Sequence, residues 1–201
     1  MKKIWTLLVA AITVLAVLTS GCSSSDKAAK PADGKKTTTI GFSISTLNNP
    51  FFVSVRKGVE EEAKKLGVNV KIVDAQNDPA KQANDISDLI QQKVDVLLIN
   101  PVDSAAVSTS VAAANKASIP VLALDRSADK GTVASFIASD NVKGGEMAAE
   151  YIIQKLGEKV KVAELEGIPG ASATRERGEG FHKVAAVSYT HLRAHETGAY
   201  L

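Results

Sequence analysis

Short apolar segments alternate with amphipathic, helix-like segments along the chain from Thr37 onward. The predicted strands are residues 38–43, 68–73, 94–99, 120–124, 133–137 and 160–165. The predicted helices cover about 53–66 and 79–90, then run to about 117, to about 156, and onward from about 173. This alternation with short connections predicts an α/β fold with a doubly wound parallel sheet.

Local signals support several of these boundaries. Gly67 is predicted to end the first helix, and Asp78 is predicted to cap the second one, with Pro79 at its first position. The pair Gly144-Gly145 lies within a helical pattern, so we predict close packing of another element there.

Polar and aromatic side chains follow the predicted strands where an open α/β sheet binds its ligands. They are Ser45, Asn49, Phe51 and Phe52 after the first strand, Asp125 and Arg126 after the fourth, and Asp140 and Asn141 after the fifth. Neighbouring helical side chains diverge by about 100°, so one of the two phenylalanines is expected in the ligand crevice. Spacing alone leaves open that both belong to the core.

An aromatic face, an amide, a carboxylate and a guanidinium together suit a small polyhydroxylated ligand, whose hydroxyls need both donors and acceptors. Two other interpretations stay open at this point. Asp125 and Arg126 also fit a surface ion pair or turn cap, and residues 175–177 also fit a solvated run of charges.

Catalysis is not expected from this sequence. It carries no phosphate-binding glycine loop, nucleophile elbow or metal-spaced His/Cys set, and His182 is predicted to be isolated and solvated. We therefore predict no enzyme activity, no cofactor and no metal. The net charge of +2, with lysines and arginines spread along the chain, argues against a nucleic-acid partner.

The N-terminus has the regions of a secretory signal peptide: Lys2 and Lys3, an apolar run over 4–18, then small residues. The run is short for a membrane span. Residues 18–22 resemble a bacterial lipobox, which implies a lipoprotein signal peptide over 1–22 and acylation of Cys22. A secreted protein with an incidental cysteine is the alternative, and a single cysteine excludes an intramolecular disulfide. Residues 23–36 are predicted to be a disordered tether, so we expect an exported protein, lipid-anchored outside the cell membrane.

Five motifs point to one family. They are Ser-Thr-Leu-Asn-Asn-Pro-Phe-Phe (45–52), Asn-Pro-Val-Asp-Ser (100–104), Leu-Asp-Arg (124–126), Ile-Ala-Ser-Asp-Asn (137–141) and Arg-Glu-Arg-Gly-Glu-Gly-Phe (175–181). Together they resemble the pentose/hexose sugar-binding family of ABC importers, with the periplasmic-binding-protein-like type I fold. The resemblance implies two lobes that close over one monosaccharide, ribose favoured, and a membrane ABC permease as partner. It assigns 37–138 to a nearly complete N-terminal lobe and 139–186 to the start of a partial second lobe.

The resemblance also implies residue roles. Ser45 and Asn49 would hydrogen-bond at the site, and Phe51 and Phe52 would flank the sugar ring. Asp125 and Arg126 would bind ring hydroxyls, and Arg177 would reach them from the second lobe. Ser139, Asp140 and Asn141 would form the first hinge crossing.

Other functions of this fold differ in their partners. A sensor of sugar or autoinducer would present its ligand to a chemoreceptor or sensor kinase. A lactose-repressor-type transcription regulator would carry a helix-turn-helix where this chain has its leader.

The family pattern stops after Ala185, and the composition then changes abruptly, with two of the three histidines in the last 15 residues. This end resembles translated adapter sequence, so we predict that 187–201 is not native. Residues 37–137 should still form an αβα lobe. The later fragment should expose apolar faces, and the chain alone should bind sugar weakly.

Overall fold

A computed structural model of the chain describes residues 37–157, 160–188 and 190–194. All described residues belong to one compact unit, which begins at Thr37. The predicted signal peptide, tether and acylated Cys22 therefore lie outside the described residues. Within the described part, no helix combines the length and apolar character needed to cross a membrane.

The elements alternate as the sequence predicted. The strands are β1 (Thr39–Ile44), β2 (Asn69–Asp74), β3 (Val96–Ile99), β4 (Val121–Leu124), β5 (Ser135–Ile137), β6 (Lys161–Leu165) and β7 (Thr190–Ala194). The helices are α1 (Pro50–Leu66), α2 (Pro79–Gln91), α3 (Ser108–Lys116), α4 (Asn141–Leu156) and α5 (Ser172–Ser188). Strands β1 to β5 form one parallel sheet in the order β2-β1-β3-β4-β5, and β6 pairs with β7 in a second, two-stranded parallel sheet. The predicted α/β fold with a parallel sheet is confirmed.

The five-stranded sheet is covered on both faces because successive side chains of a strand point to opposite sides. On one side, Leu97 and Ile99 of β3 pack with Ile86 and Leu89 of α2 and with apolar residues of α3. On the other side, Phe42 and Ile44 of β1 pack with Phe52 and partly buried residues of α1. A helix thus lies on each face, as a doubly wound sheet requires.

Capping residues set the helix ends. Gly67 adopts a left-handed conformation, with φ of 66°, and ends α1 as predicted. Asp78 caps α2 by accepting hydrogen bonds from the backbone amides of Ala80 and Lys81. Helix α1 begins at Pro50, three residues before the approximate start at 53, because the side chain of Asn49 caps it by accepting from the amide of Phe51.

Helices α4 and α5 pack closely through glycine. A Cβ atom at Gly145 would meet the carbonyl oxygen of Arg177 and lie 2.7 Å from the amide nitrogen of Phe181, whereas a Cβ at Gly144 would meet nothing within 4 Å. The close packing predicted for this glycine pair is confirmed, at Gly145. This part of the chain also exposes several large apolar side chains, as the sequence led us to expect: Met147, Tyr151, Leu156, Leu165 and Ile168.

Candidate functional site

A buried polar network joins the carboxyl ends of β1, β3 and β4. The hydroxyl of Ser45 donates to Oδ1 of Asn100 at 2.5 Å, and the Ser45 amide donates to the same oxygen at 3.2 Å. Nδ2 of Asn100 donates to the carbonyl of Leu124 at 3.0 Å. The side chain of Asn100 therefore fixes the three strand ends relative to one another, immediately before Asp125.

Gln82 extends this network from α2. Its Nε2 donates to the hydroxyl of Ser43 at 3.2 Å and to the carbonyl of Asn100 at 3.0 Å, and its Oε1 accepts from the amide of Val102 at 2.8 Å. Gln82 is 2% exposed and Asn100 is 1% exposed. Because both polar side chains are paired, their burial carries no large desolvation penalty.

Asp125 and Arg126 follow β4 at the same edge. Asp125 has a left-handed backbone, with φ of 64°, and its amide donates to the carbonyl of Ile137 at 2.8 Å. Its carboxylate lies 3.7 Å from Nε of Arg126. The guanidinium of Arg126 donates to the carbonyl of Pro101 at 3.0 Å. The pair is thus partly buried and held from β3 and β5, which does not fit the alternative of an exposed surface ion pair.

Burial and two neighbouring charges shift the pKa of Arg126 in opposite directions. The pKa of its guanidinium is lowered from its usual value, chiefly because burial removes water from the charged group. The carboxylate of Asp125 opposes this shift, whereas the positive charge of Arg177 adds to it. Arg177 is therefore close enough for its positive charge to act on Arg126.

The two adjacent phenylalanines take different environments. Phe52 is 3% exposed and belongs to the core under β1, while Phe51 is 53% exposed. Their rings meet edge to face, with centroids 5.1 Å apart. The guanidinium carbon of Arg126 lies 5.2 Å from the Phe52 centroid, within the range of a cation–π contact. Phe52 therefore packs against the guanidinium of Arg126, and Phe51 is exposed to solvent.

Ser45 and Asn49 use their side chains within the protein. Ser45 is fully buried, with its hydroxyl bonded to Asn100, and the Asn49 carbonyl oxygen caps α1. The structure brings both to the edge of the sheet that carries Arg126. Ser45 supports that edge from inside, and Asn49 lies exposed at the entrance to α1.

The predicted hinge residues lie at the start of α4. Asp140 caps this helix by accepting from the amide of Lys143 at 2.9 Å. Asn141 is buried and accepts from Nη1 of Arg177 at 2.7 Å, while its Nδ2 donates to Glu176 at 3.1 Å. Asn141 of the predicted hinge therefore orients Arg177. The sequence had suggested separate roles for the hinge residues and for Arg177.

Further contacts join the loops after β3 and β4 to the loop after β6. The amide of Ser127 donates to the hydroxyl of Ser172 at 2.9 Å, and the amide of Ser104 donates to the carbonyl of Gly170 at 2.9 Å. Arg175 pairs with Asp129 at 3.0 Å. Arg175 and Arg177 thus make specific contacts, although both residues are exposed, so the interpretation of 175–177 as a solvated run of charges stays open.

The prediction for His182 was also wrong. Its Nε2 lies 2.6 Å from Oε2 of Glu164, and its side chain is 22% exposed. Potential ligand atoms of Glu164, Glu166 and His182 lie within 4.8 Å of one another beside a cleft of about 280 Å³. Glu164 and Glu166 are two residues apart in sequence, but His182 joins them only in the fold, through its contact with Glu164.

Asn100 and Gln82 are the residues that our sequence analysis missed as contributors to the site. Both left a signal. Asn100 directly follows a buried strand, where ligand sites form in parallel sheets. Gln82 shares the apolar stripe of α2 with Ile86 and Leu89, and a polar residue in such a stripe must find a buried partner.

Comparisons with known proteins agree with this architecture. The model of the periplasmic binding protein domain family matches residues 40–198. The chain is 60% identical to the ribose import binding protein RbsB of Bacillus subtilis over 177 residues, which is 87% of this chain. Among solved structures, the Caulobacter myo-inositol binding protein bound to myo-inositol is 30% identical with a TM-score of 0.75 over 79% of this chain. The fructose binding periplasmic domain of the hybrid two component system BT1754 is 26% identical with the same TM-score and coverage.

The chain spans 58% of the length of the Bacillus subtilis relative, and 55% and 53% of the two solved chains. The family model nevertheless covers most of the chain, and its extent includes the parallel sheet and the edge that carries Asp125 and Arg126. By sequence and by fold, this chain belongs to the periplasmic binding protein family.

Proposed function

We propose that the full-length protein, the complete product of the gene that carries this sequence, is the sugar-binding component of an ABC importer, with ribose or a related monosaccharide as ligand. The protein binds and delivers its ligand without changing it chemically. The 60% identity to a ribose import binding protein supports the choice of ribose. The myo-inositol and fructose binding neighbours support a small polyhydroxylated ligand in general.

One observation carries the proposal: the charged groups of Asp125 and Arg126 lie together beside the rings of Phe51 and Phe52, and Arg177 is close enough for its charge to act on Arg126. The carboxylate accepts from sugar hydroxyls, and the two guanidinium groups donate to hydroxyl and ring oxygens. The exposed ring of Phe51 offers a face for the C–H groups of the sugar, with Phe52 behind it. Ser45 belongs to the buried network behind this edge of the sheet, and Asn49 lies at the start of α1.

The ligand would be enclosed by hinge closure. Ser139, Asp140 and Asn141 form the first crossing between the lobe of residues 37–138 and the segment that carries Arg177. Because Asn141 already holds Arg177, a rotation at this crossing would carry the guanidinium toward or away from Arg126. The closed form would then dock on a membrane permease.

Titration of the full-length protein with D-ribose tests this proposal. We expect saturable binding by isothermal titration calorimetry, and a smaller radius of gyration by solution scattering when ribose is present. Myo-inositol and fructose serve as competing ligands of the same chemical class. If none of the three binds at millimolar concentration, the proposed function is wrong.

We also propose that Cys22 is acylated and anchors the protein to the outer face of the cell membrane, since residues 1–22 have the order of a lipoprotein signal. Replacing Cys22 with alanine should move the protein from the membrane fraction to the soluble extracytoplasmic fraction. Cell fractionation followed by immunoblotting measures this, with Ser23→Ala as the matched control. Retention of Cys22→Ala in the membrane fraction would point to another anchor.

A sensory role is the second candidate. The observation that favours it is the similarity to the fructose binding periplasmic domain of a hybrid two component system. In that case the closed form would contact a chemoreceptor or sensor kinase. Deleting the gene separates the two roles: loss of labelled ribose uptake supports import, and unchanged uptake with a lost transcriptional response to ribose supports sensing.

A further inference from the structure

The side chain of Gln82 hydrogen-bonds to the loop after β3 on both sides of Pro101. Its Nε2 donates to the carbonyl of Asn100, and its Oε1 accepts from the amide of Val102. One planar amide thus fixes the residues before and after Pro101. Gln82 belongs to α2, which Asp78 caps, so these hydrogen bonds hold the loop from a separate element.

The same loop holds Arg126. Nη1 of Arg126 donates to the carbonyl of Pro101 at 3.0 Å and lies 3.5 Å from the carbonyl of Val102. These carbonyls can orient the guanidinium only if the loop stays in place. The contacts therefore form a chain from Gln82 through the loop to Arg126, with no direct contact between the two ends among the hydrogen bonds of the described residues.

Few side chains could replace glutamine here. The position needs a donor toward a carbonyl and an acceptor toward an amide, about one residue apart, and only a terminal amide supplies both. Glutamate keeps the acceptor but loses the donor when ionised, and methionine has a similar shape with neither strong group. Because the loop is buried at Asn100 and Val102, an unpaired carbonyl or amide there is unfavourable.

We propose that Gln82 is a positioning residue for sugar binding, holding the loop of residues 100–102 so that Arg126 is oriented toward the ligand. The inference rests on the proposed function only in that Arg126 contacts the sugar. The geometric part, control of Arg126 by Gln82, stands without a ligand.

The test compares Gln82→Met with Ile86→Val in the full-length protein. Ile86 lies one turn further along α2, is fully buried and makes no contribution to the amide bridge, so its variant controls for general core damage. Two quantities are measured: the Kd for D-ribose by calorimetry, and the rotation of the Arg126 guanidinium by nitrogen-15 NMR without sugar. The Arg126 signal is assigned by its loss in Arg126→Lys.

Gln82→Met should raise the Kd at least tenfold and speed the rotation of the Arg126 guanidinium, whereas Ile86→Val should stay within twofold of the wild type in both. Wild-type affinity in Gln82→Met overturns the proposal, whether or not the rotation changes. If the wild type binds no sugar, the proposed function fails, and the ligand-free spectrum decides alone: unchanged rotation in Gln82→Met overturns the positioning role.

A second variant covers the case in which Gln82→Met does not fold. Gln82→Glu keeps the acceptor for Val102 and, when ionised, loses the Nε2 donor to Asn100 and Ser43. We expect it to fold and to raise the Kd at least threefold, with guanidinium rotation faster than in the wild type. Wild-type values in Gln82→Glu would overturn the proposal in that case.

Discussion

Replacing Arg126 with alanine should weaken D-ribose binding by the full-length protein at least tenfold, or about 1.4 kcal/mol. Three features make this residue the one with the largest expected effect on binding. Its guanidinium is nearly buried, with 11% of the side chain exposed, it packs over the ring of Phe52, and it lies beside the carboxylate of Asp125. Removal therefore takes away a charged donor and the group that keeps the Asp125 carboxylate oriented.

The control for this experiment is Arg56→Ala. Arg56 lies on the solvent side of α1, where it pairs with Glu60 at 2.8 Å, and exposed pairs of this kind contribute little to stability. Calorimetric titration gives both affinities, and circular dichroism shows whether each variant is folded. A folded Arg126→Ala variant that binds ribose as tightly as Arg56→Ala would remove Arg126 from the site.

The regular elements could be predicted because each leaves a local pattern. The run over 94–99 is apolar except for Asp95 because β3 lies in the middle of the sheet, and Asp78 with Pro79 marks a helix start by cap chemistry alone. The start of α1 was placed too late for a local reason as well. Asn49 and Pro50 favour a turn and a helix entrance equally, and only the hydrogen bond from the Phe51 amide shows that the helix has begun.

The candidate site was harder to predict, because its arrangement depends on contacts between distant parts of the chain. The sequence placed Asp125 and Arg126 at the end of a strand, but the carbonyl that holds Arg126 belongs to Pro101, 25 residues away. Adjacent Phe51 and Phe52 are alike in sequence, and only the position of β1 decides which ring is buried. His182 has no acidic residue directly beside it in sequence, and Glu164 reaches it from β6, 18 residues away.

The glycine pair in α4 shows the same limit at a single position. The sequence indicated that helix packing explains Gly144-Gly145, but two neighbouring helical residues face different directions. Only the placement of α5 shows that Gly145 lies against a neighbouring backbone while Gly144 faces open space. The same glycine-to-alanine change at the two positions therefore compares a packed site with an open one.

Replacing Gly145 with alanine should lower the free energy of unfolding by about 2 kcal/mol, whereas Gly144→Ala should raise it by up to about 1 kcal/mol. Alanine favours the helix at both positions, but at Gly145 its methyl group would meet the carbonyl of Arg177, which is backbone and cannot rotate away. Helix α5 would have to move outward and carry Arg177 away from Asn141 and Arg126. The Gly145 variant should therefore also bind ribose more weakly, while the Gly144 variant should not.

Urea unfolding of the two full-length variants, followed by circular dichroism, measures the difference directly. The expected separation between them is about 3 kcal/mol, since the helix-propensity gain is common to both and only the backbone contact differs. Equal shifts in the two variants would mean that α4 and α5 are not packed through Gly145.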